Sequence, residues 1–183
     1  MTSLASQIPN ILTLSRIAAA PLLIVLLRDA NFELALILFI LAGFTDGLDG
    51  WIAKRFNYTS ELGASLDPLA DKIIIIAAYG MLTILDVIPF WLMMLVIFRD
   101  LVIVGGYLVL TTLNGSIPMQ PTLTSKINTF LQITYVIAVL LNNTSWLFIP
   151  YLTEVLMIAV ALSTIASGTQ YVWVWAIRRD YSM

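Results

Sequence analysis

Six runs of apolar residues, near 11–28, 33–52, 68–86, 88–110, 125–142 and 147–176, constrain this chain more than any other feature. A helix needs about 20 mainly apolar residues to cross the hydrocarbon of a bilayer. Each run approaches or exceeds that length, and only the turn Asp86–Pro89 separates the third from the fourth. Hydrophobic residues make up 60% of the 183, charged residues only 11%, and mean hydropathy is +0.95. A soluble chain carries roughly 25% charged residues. A one-domain fold cannot bury so much apolar surface, because a large share of a small fold faces solvent. The solvent over most of the perimeter must therefore be lipid. The expected architecture is all-α: a polytopic membrane protein forming a six-transmembrane-helix bundle from a single domain, 1–183. No internal repeat or low-complexity segment interrupts it. A mildly amphipathic piece, Ser3 to Pro9, reads as a short N-terminal interfacial helix. Asn10 is expected to cap the first span behind the Ile8-Pro9 boundary.

Charge narrows the function. A net charge of −2 argues against a nucleic-acid partner, since phosphate neutralisation needs clustered Lys and Arg. The chain has neither Cys nor His. Thiolate and imidazole ligands are thus excluded, as is the commonest general base. Metal or proton chemistry must fall to carboxylates. Lys54, Arg55, Lys126, Arg178 and Arg179 flank alternate spans, while the 3–4 and 5–6 connections carry no Lys or Arg. This fits both termini in the cytoplasm, with Arg28 as the exception and Asp29 beside it. The start shows no basic segment leading to a small-residue cleavage site, so no signal peptide is expected; no transit peptide is visible, so a bacterial inner-membrane location is expected.

Residues 46–72 read DGLDGWIAKRFNYTSELGASLDPLADK. Asp46 and Asp49 are three apart, Asp67 and Asp71 four apart, and both spacings put a pair on one helix face. One pair leaves a span and the other enters the next, so four carboxylates converge at one depth near the cytoplasmic interface. Unpaired, they would repel and be pushed towards neutrality by desolvation. Two divalent cations resolve the conflict, and all-oxygen ligation points to hard ions such as Mg²⁺, Mn²⁺ or Ca²⁺. Such a pair suits phosphoryl chemistry by bridging phosphate oxygens. Gly50, Ala53 and Gly63 leave room for a ligand beside these acids. Read alone, they are equally the small residues of membrane helix packing.

The pattern Asp46-x2-Asp49-Gly50-x2-Ala53-x9-Gly63-x3-Asp67-x3-Asp71 resembles the signature of the CDP-alcohol phosphotransferase family. It departs from that signature at Lys54, where the family usually has Arg, although Arg55 follows. Lys lacks the bidentate fork of Arg, so either could meet a pyrophosphate. The resemblance implies six transmembrane helices, a homodimer and a cavity open to the cytoplasm. It implies that Asp46, Asp49, Asp67 and Asp71 bind two ions, Mg²⁺ or Mn²⁺, and that Asp71 is also the general base. It implies nucleotide binding by Asp46, Asp49, Gly50, Ala53, Lys54 and Gly63. The implied reaction is attack of an acceptor hydroxyl on the β-phosphorus of CDP-diacylglycerol, with CMP leaving.

Two branches of the family use glycerol-based acceptors: phosphatidylglycerol in one, giving cardiolipin, and glycerol 3-phosphate in the other. Ile8 to Arg16 resembles both. Arg99-Asp100 and the stretch Pro121 to Thr129, followed by Gln132, resemble the cardiolipin branch more closely. Arg99 and Lys126 are candidates for the acceptor's phosphate, because a cation inside a span needs an anionic partner. Alternatively, Arg99 pairs with Asp100 and Lys126 snorkels to the interface. The aromatic residues near the ends of the last span read as an interfacial belt. A cation transporter would also carry intramembrane acids, but typically as repeats with midplane sites. A noncatalytic relative would be expected to lack some of the aspartates.

Overall fold

The structure, a computed structural model, describes residues 8–56, 61–114, 122–147 and 149–180. It describes side chains at 15–45, 72–106, 112, 122–147, 149 and 151–173. Six helices follow in order: α1 (Ile8–Arg28), α2 (Phe32–Phe56), α3 (Glu61–Ile84), α4 (Phe90–Asn114), α5 (Leu123–Asn142) and α6 (Pro150–Asp180). No strand occurs among the described residues. The six apolar runs thus correspond one to one with six helices.

The ends differ from expectation in an instructive way. Helix α2 runs to Phe56 and α3 begins at Glu61, so both aspartate pairs lie within helices and only 57–60 separates them. Hydropathy marks where the apolar run ends, whereas good helix formers such as Ala, Leu, Lys and Glu carry the helix beyond it. Helix α1 begins at Ile8, so Asn10 is inside the helix rather than its cap. Pro9 falls in the first turn, where a missing N–H costs nothing. The rest of the expected interfacial piece, Ser3 to Gln7, lies outside the described residues.

The helices group into two compact units. The first comprises Met1–Val87 and Val136–Phe148. Within it α1 packs against both α2 and α3. Leu23 and Leu27 of α1, Leu36 and Phe39 of α2, and Ile75, Ala78 and Leu82 of α3 are buried at helical spacing. Two reverse turns shape this unit. After α1, Ala30 N–H donates to Leu27 and Asn31 N–H to Leu26, with Ala30 at φ 55°. After α3, Asp86 N–H donates to Thr83 and Val87 N–H to Leu82, with Asp86 at φ 59°. Both are Schellman ends, closed by a left-handed residue that is usually glycine. Asn31 then caps α2, its Oδ1 accepting from Leu34 N–H at 3.3 Å.

The second unit comprises Ile88–Tyr135 and Ile149–Met183, and in it α4 packs against α6. Pro150 opens α6 at the position where proline is best tolerated. Two helical segments, Leu123–Asn142 and Tyr151–Trp173, are long and apolar enough to cross a membrane, with mean hydropathies of 1.3 and 1.6. Only 17% of the most apolar window in the second is buried, too little for the core helix of a soluble fold. Shorter apolar helical stretches, Phe32–Thr45 and Lys72–Ile84, occur among the described residues of α2 and α3. Large apolar side chains, among them Phe44, Phe98, Phe130 and Leu162, stand exposed on four different helices. Outward-facing apolar surface on that scale marks contact with lipid or protein rather than water.

Candidate functional site

The aspartate constellation is carried by the first unit. Asp46, Asp49, Gly50, Ala53 and Lys54 lie on the second half of α2, and Gly63, Asp67 and Asp71 on the first half of α3. Their side chains lie outside the described residues. Among the described residues no group of three or more acids is placed to hold a metal ion. The helix registers are informative. Asp46 and Asp49 precede the end of α2 by ten and seven residues, and Asp71 and Asp67 follow the start of α3 by ten and six. At ~1.5 Å per residue, each pair stands roughly 10–15 Å from its helix end. The donor set, carboxylates without His or Cys, fits hard divalent cations.

Arg99 and Asp100 belong to the second unit, and both are buried. Arg99 Nη1 donates to Asp100 Oδ1 at 2.7 Å. Nη2 donates to Ser125 Oγ at 2.5 Å and to Ser167 Oγ at 2.7 Å, and Nε donates to Ser167 Oγ at 3.2 Å. One arginine of α4 is therefore tied to α5 and α6 at once. Four of its five N–H groups are engaged, which leaves one on Nη1. Lys126, one residue beyond Ser125, is exposed and forms no ion pair among the described residues.

A polar seam continues along α5. Asn128 Oδ1 accepts from Ser163 Oγ and Thr164 Oγ1 of α6, each at 2.8 Å. Gln132, one turn on, is fully buried with neither amide atom partnered among the described residues. Sequence reasoning missed Ser125, Asn128, Ser163, Thr164 and Ser167. The available signal was the i, i+3, i+7 spacing of polar residues Ser125, Asn128 and Gln132 in an otherwise apolar helix. Arg16 of α1, also buried, went unremarked as a site candidate although it is a cation well inside an apolar run. Beside Arg99, a groove of about 480 Å³ is lined by Phe98 and Val102 of α4 and Ile165, Gly168 and Val172 of α6. A Cβ at Gly168 would meet only Arg99 Cγ, at 3.7 Å.

The sequence profile of CDP-alcohol phosphatidyltransferases matches residues 6–166. The chain belongs to the CDP-alcohol phosphatidyltransferase family. Similar members include the CMP-forming cardiolipin synthase of Homo sapiens, 37% identical over 180 residues, covering 90% of this chain and 60% of the human protein. That of Rattus norvegicus is 36% identical with the same coverage. The CDP-diacylglycerol–glycerol-3-phosphate 3-phosphatidyltransferase of Bacillus subtilis strain 168 is 33% identical over 182 residues, covering 90% of this chain and 93% of that protein. The chain spans about 60% of the length of the mammalian relatives and nearly all of the bacterial one. As a family member it carries all seven positions of the motif between Asp46 and Asp71, with Lys54 as the departure noted above.

Proposed function

We propose that this chain transfers the phosphatidyl group of CDP-diacylglycerol to the hydroxyl of phosphatidylglycerol, forming cardiolipin and CMP. The observation that carries the reading is the complete Asp46-to-Asp71 pattern in a chain of this family. The reading includes a six-span bundle in the bacterial inner membrane, a homodimer, and a site that faces the cytoplasm. Asp46, Asp49, Asp67 and Asp71 hold two Mg²⁺ or Mn²⁺ ions. When bound, such ions neutralise charge on the pyrophosphate of the donor. Gly50, Ala53 and Gly63 leave the cytidine nucleotide room against the helices, and Lys54 or Arg55 meets its phosphates. Asp71 accepts the proton of the acceptor hydroxyl. The freed oxygen forms a bond to the β-phosphorus as the bond to the bridging oxygen of CMP breaks.

The phosphate of the acceptor is assigned to Arg99 and Lys126. The apolar groove next to Arg99 supports a lipid acceptor, since it suits an acyl chain. The pair Arg99-Asp100 and the higher identity to the cardiolipin synthases support the same branch. A second reading, with glycerol 3-phosphate as acceptor, is favoured by one observation: the Bacillus subtilis relative matches along almost its whole length. Offering purified protein CDP-diacylglycerol and Mg²⁺ with each acceptor in parallel tests both. CMP release with phosphatidylglycerol supports the first reading, release with glycerol 3-phosphate alone supports the second, and release with neither removes both.

A further inference from the structure

The contacts of Arg99 carry a consequence for acceptor binding. Within the second unit its guanidinium already holds one anion, the Asp100 carboxylate at 2.7 Å, and two neutral acceptors, the hydroxyls of Ser125 and Ser167. Both charged residues are buried, at 4% and 8% exposure. A buried cation is costly without an anion beside it, so removing Asp100 without replacement is unfavourable. Replacing one anion by another is not subject to that penalty. A phosphate presents several oxygens where the carboxylate presents two, and arginine engages it through paired N–H groups. Only one N–H of Nη1 is uncommitted, so a phosphate that seeks more than this single contact at Nη1 must take over the N–H that Asp100 holds. Ser125 and Ser167 hold Nη2 and Nε in place during the exchange.

We propose that Asp100 is a resident counter-ion on Arg99, displaced by the phosphate of the incoming acceptor, so that it sets how tightly an anionic acceptor is held. This rests on the acceptor role given to Arg99 above. The side chain is thus a specificity-determining residue: it keeps Arg99 neutralised when no acceptor is present, and admits only ligands whose charge can take its place. Ser125 and Ser167 are positioning residues, because they fix the guanidinium without supplying charge.

The test measures binding directly, by calorimetry in detergent or nanodiscs, with two probes: glycerol 3-phosphate, a soluble monoester, and phosphatidylglycerol, a lipid diester. Asp100→Asn removes the competing charge while keeping the shape. It is expected to lower the dissociation constant for the acceptor in use about tenfold, equivalent to about 1.4 kcal/mol. Asp100→Glu, which retains the charge, is expected to bind as wild type does, and Arg99→Gln to abolish the gain in the Asn background. Asp100→Ser serves as a second neutral variant. Equal or weaker binding by the neutral variants overturns the proposal, and so does failure of both to fold, which makes Asp100 a structural counter-ion. CMP release measured on the same samples keeps the two readings apart. Its absence with either acceptor refutes the transfer reaction, while the phosphate affinities still report on the exchange.

Discussion

The guanidinium of Arg99 and the carboxylate of Asp100, adjacent in sequence on α4, meet at 2.7 Å with both residues buried in the second unit. Neighbours along a helix normally diverge by about 100°. Here the long arginine reaches towards α5 and α6 and still returns one N–H to its neighbour, so a single side chain fastens three helices. Its loss should be felt. Arg99→Ala removes the buried cation that faces Asp100 and frees two serine hydroxyls, and is expected to cost about 3–5 kcal/mol. Unfolding of the purified protein in mixed micelles measures this.

The turn after α1 contains a correctable strain. Ala30 sits at φ 55°, a left-handed conformation that costs a residue with a Cβ roughly 1–2 kcal/mol. Ala30→Gly is therefore expected to raise stability by about 1 kcal/mol, offset slightly by the greater freedom of glycine in the unfolded chain. Ala30→Val should lower it. The same unfolding assay separates the two.

The start of α2 depends on one side chain. Asn31 Oδ1 accepts from Leu34 N–H, and its backbone carbonyl accepts from Ala35 N–H. Asn31→Ala removes the first bond and is expected to cost about 1 kcal/mol, while Asn31→Asp keeps it.

Two buried amides on α5 should behave oppositely. Asn128 accepts from both Ser163 and Thr164; Asn128→Leu removes the acceptor of the Thr164 hydroxyl, while Ser163 keeps the Val160 carbonyl at 3.0 Å, and should destabilise by about 1–3 kcal/mol. Gln132 is fully buried and, among the described residues, neither amide atom has a hydrogen-bond partner. Gln132→Leu, similar in volume, should be neutral or stabilising by about 1 kcal/mol. A loss of stability in Gln132→Leu would show that this amide is engaged.

The sequence reveals the fold unevenly, for physical reasons. Apolar runs locate all six helices because each run is long and bounded by polar or turn residues. They misplace the ends at Phe56 and Glu61 because a helix continues into polar surroundings wherever its residues favour it. The turn at Asp86 is legible from the Asp86–Pro89 cluster, whereas nothing in the word Asp29-Ala30-Asn31 signals a left-handed alanine. The motif is legible because seven residue types recur at fixed spacing within one contiguous stretch, Asp46 to Asp71. The network around Arg99 is not: Ser125 and Ser167 lie 26 and 68 positions away, and isolated serines in apolar helices carry no local mark of a partner. Asp100 alone, the adjacent acid, was visible as a partner in the sequence.

The proposed phosphatidyl transfer requires the carboxylates of α2 and α3 to hold divalent cations. Its most direct test is CMP release from CDP-diacylglycerol by wild type and Asp71→Asn, with Mg²⁺ or Mn²⁺ and after chelation. Release is expected from wild type only with metal and acceptor present, and to fall at least about 100-fold in Asp71→Asn, the lower range for loss of a general base. Undiminished release by Asp71→Asn, or by wild type stripped of metal, would contradict it.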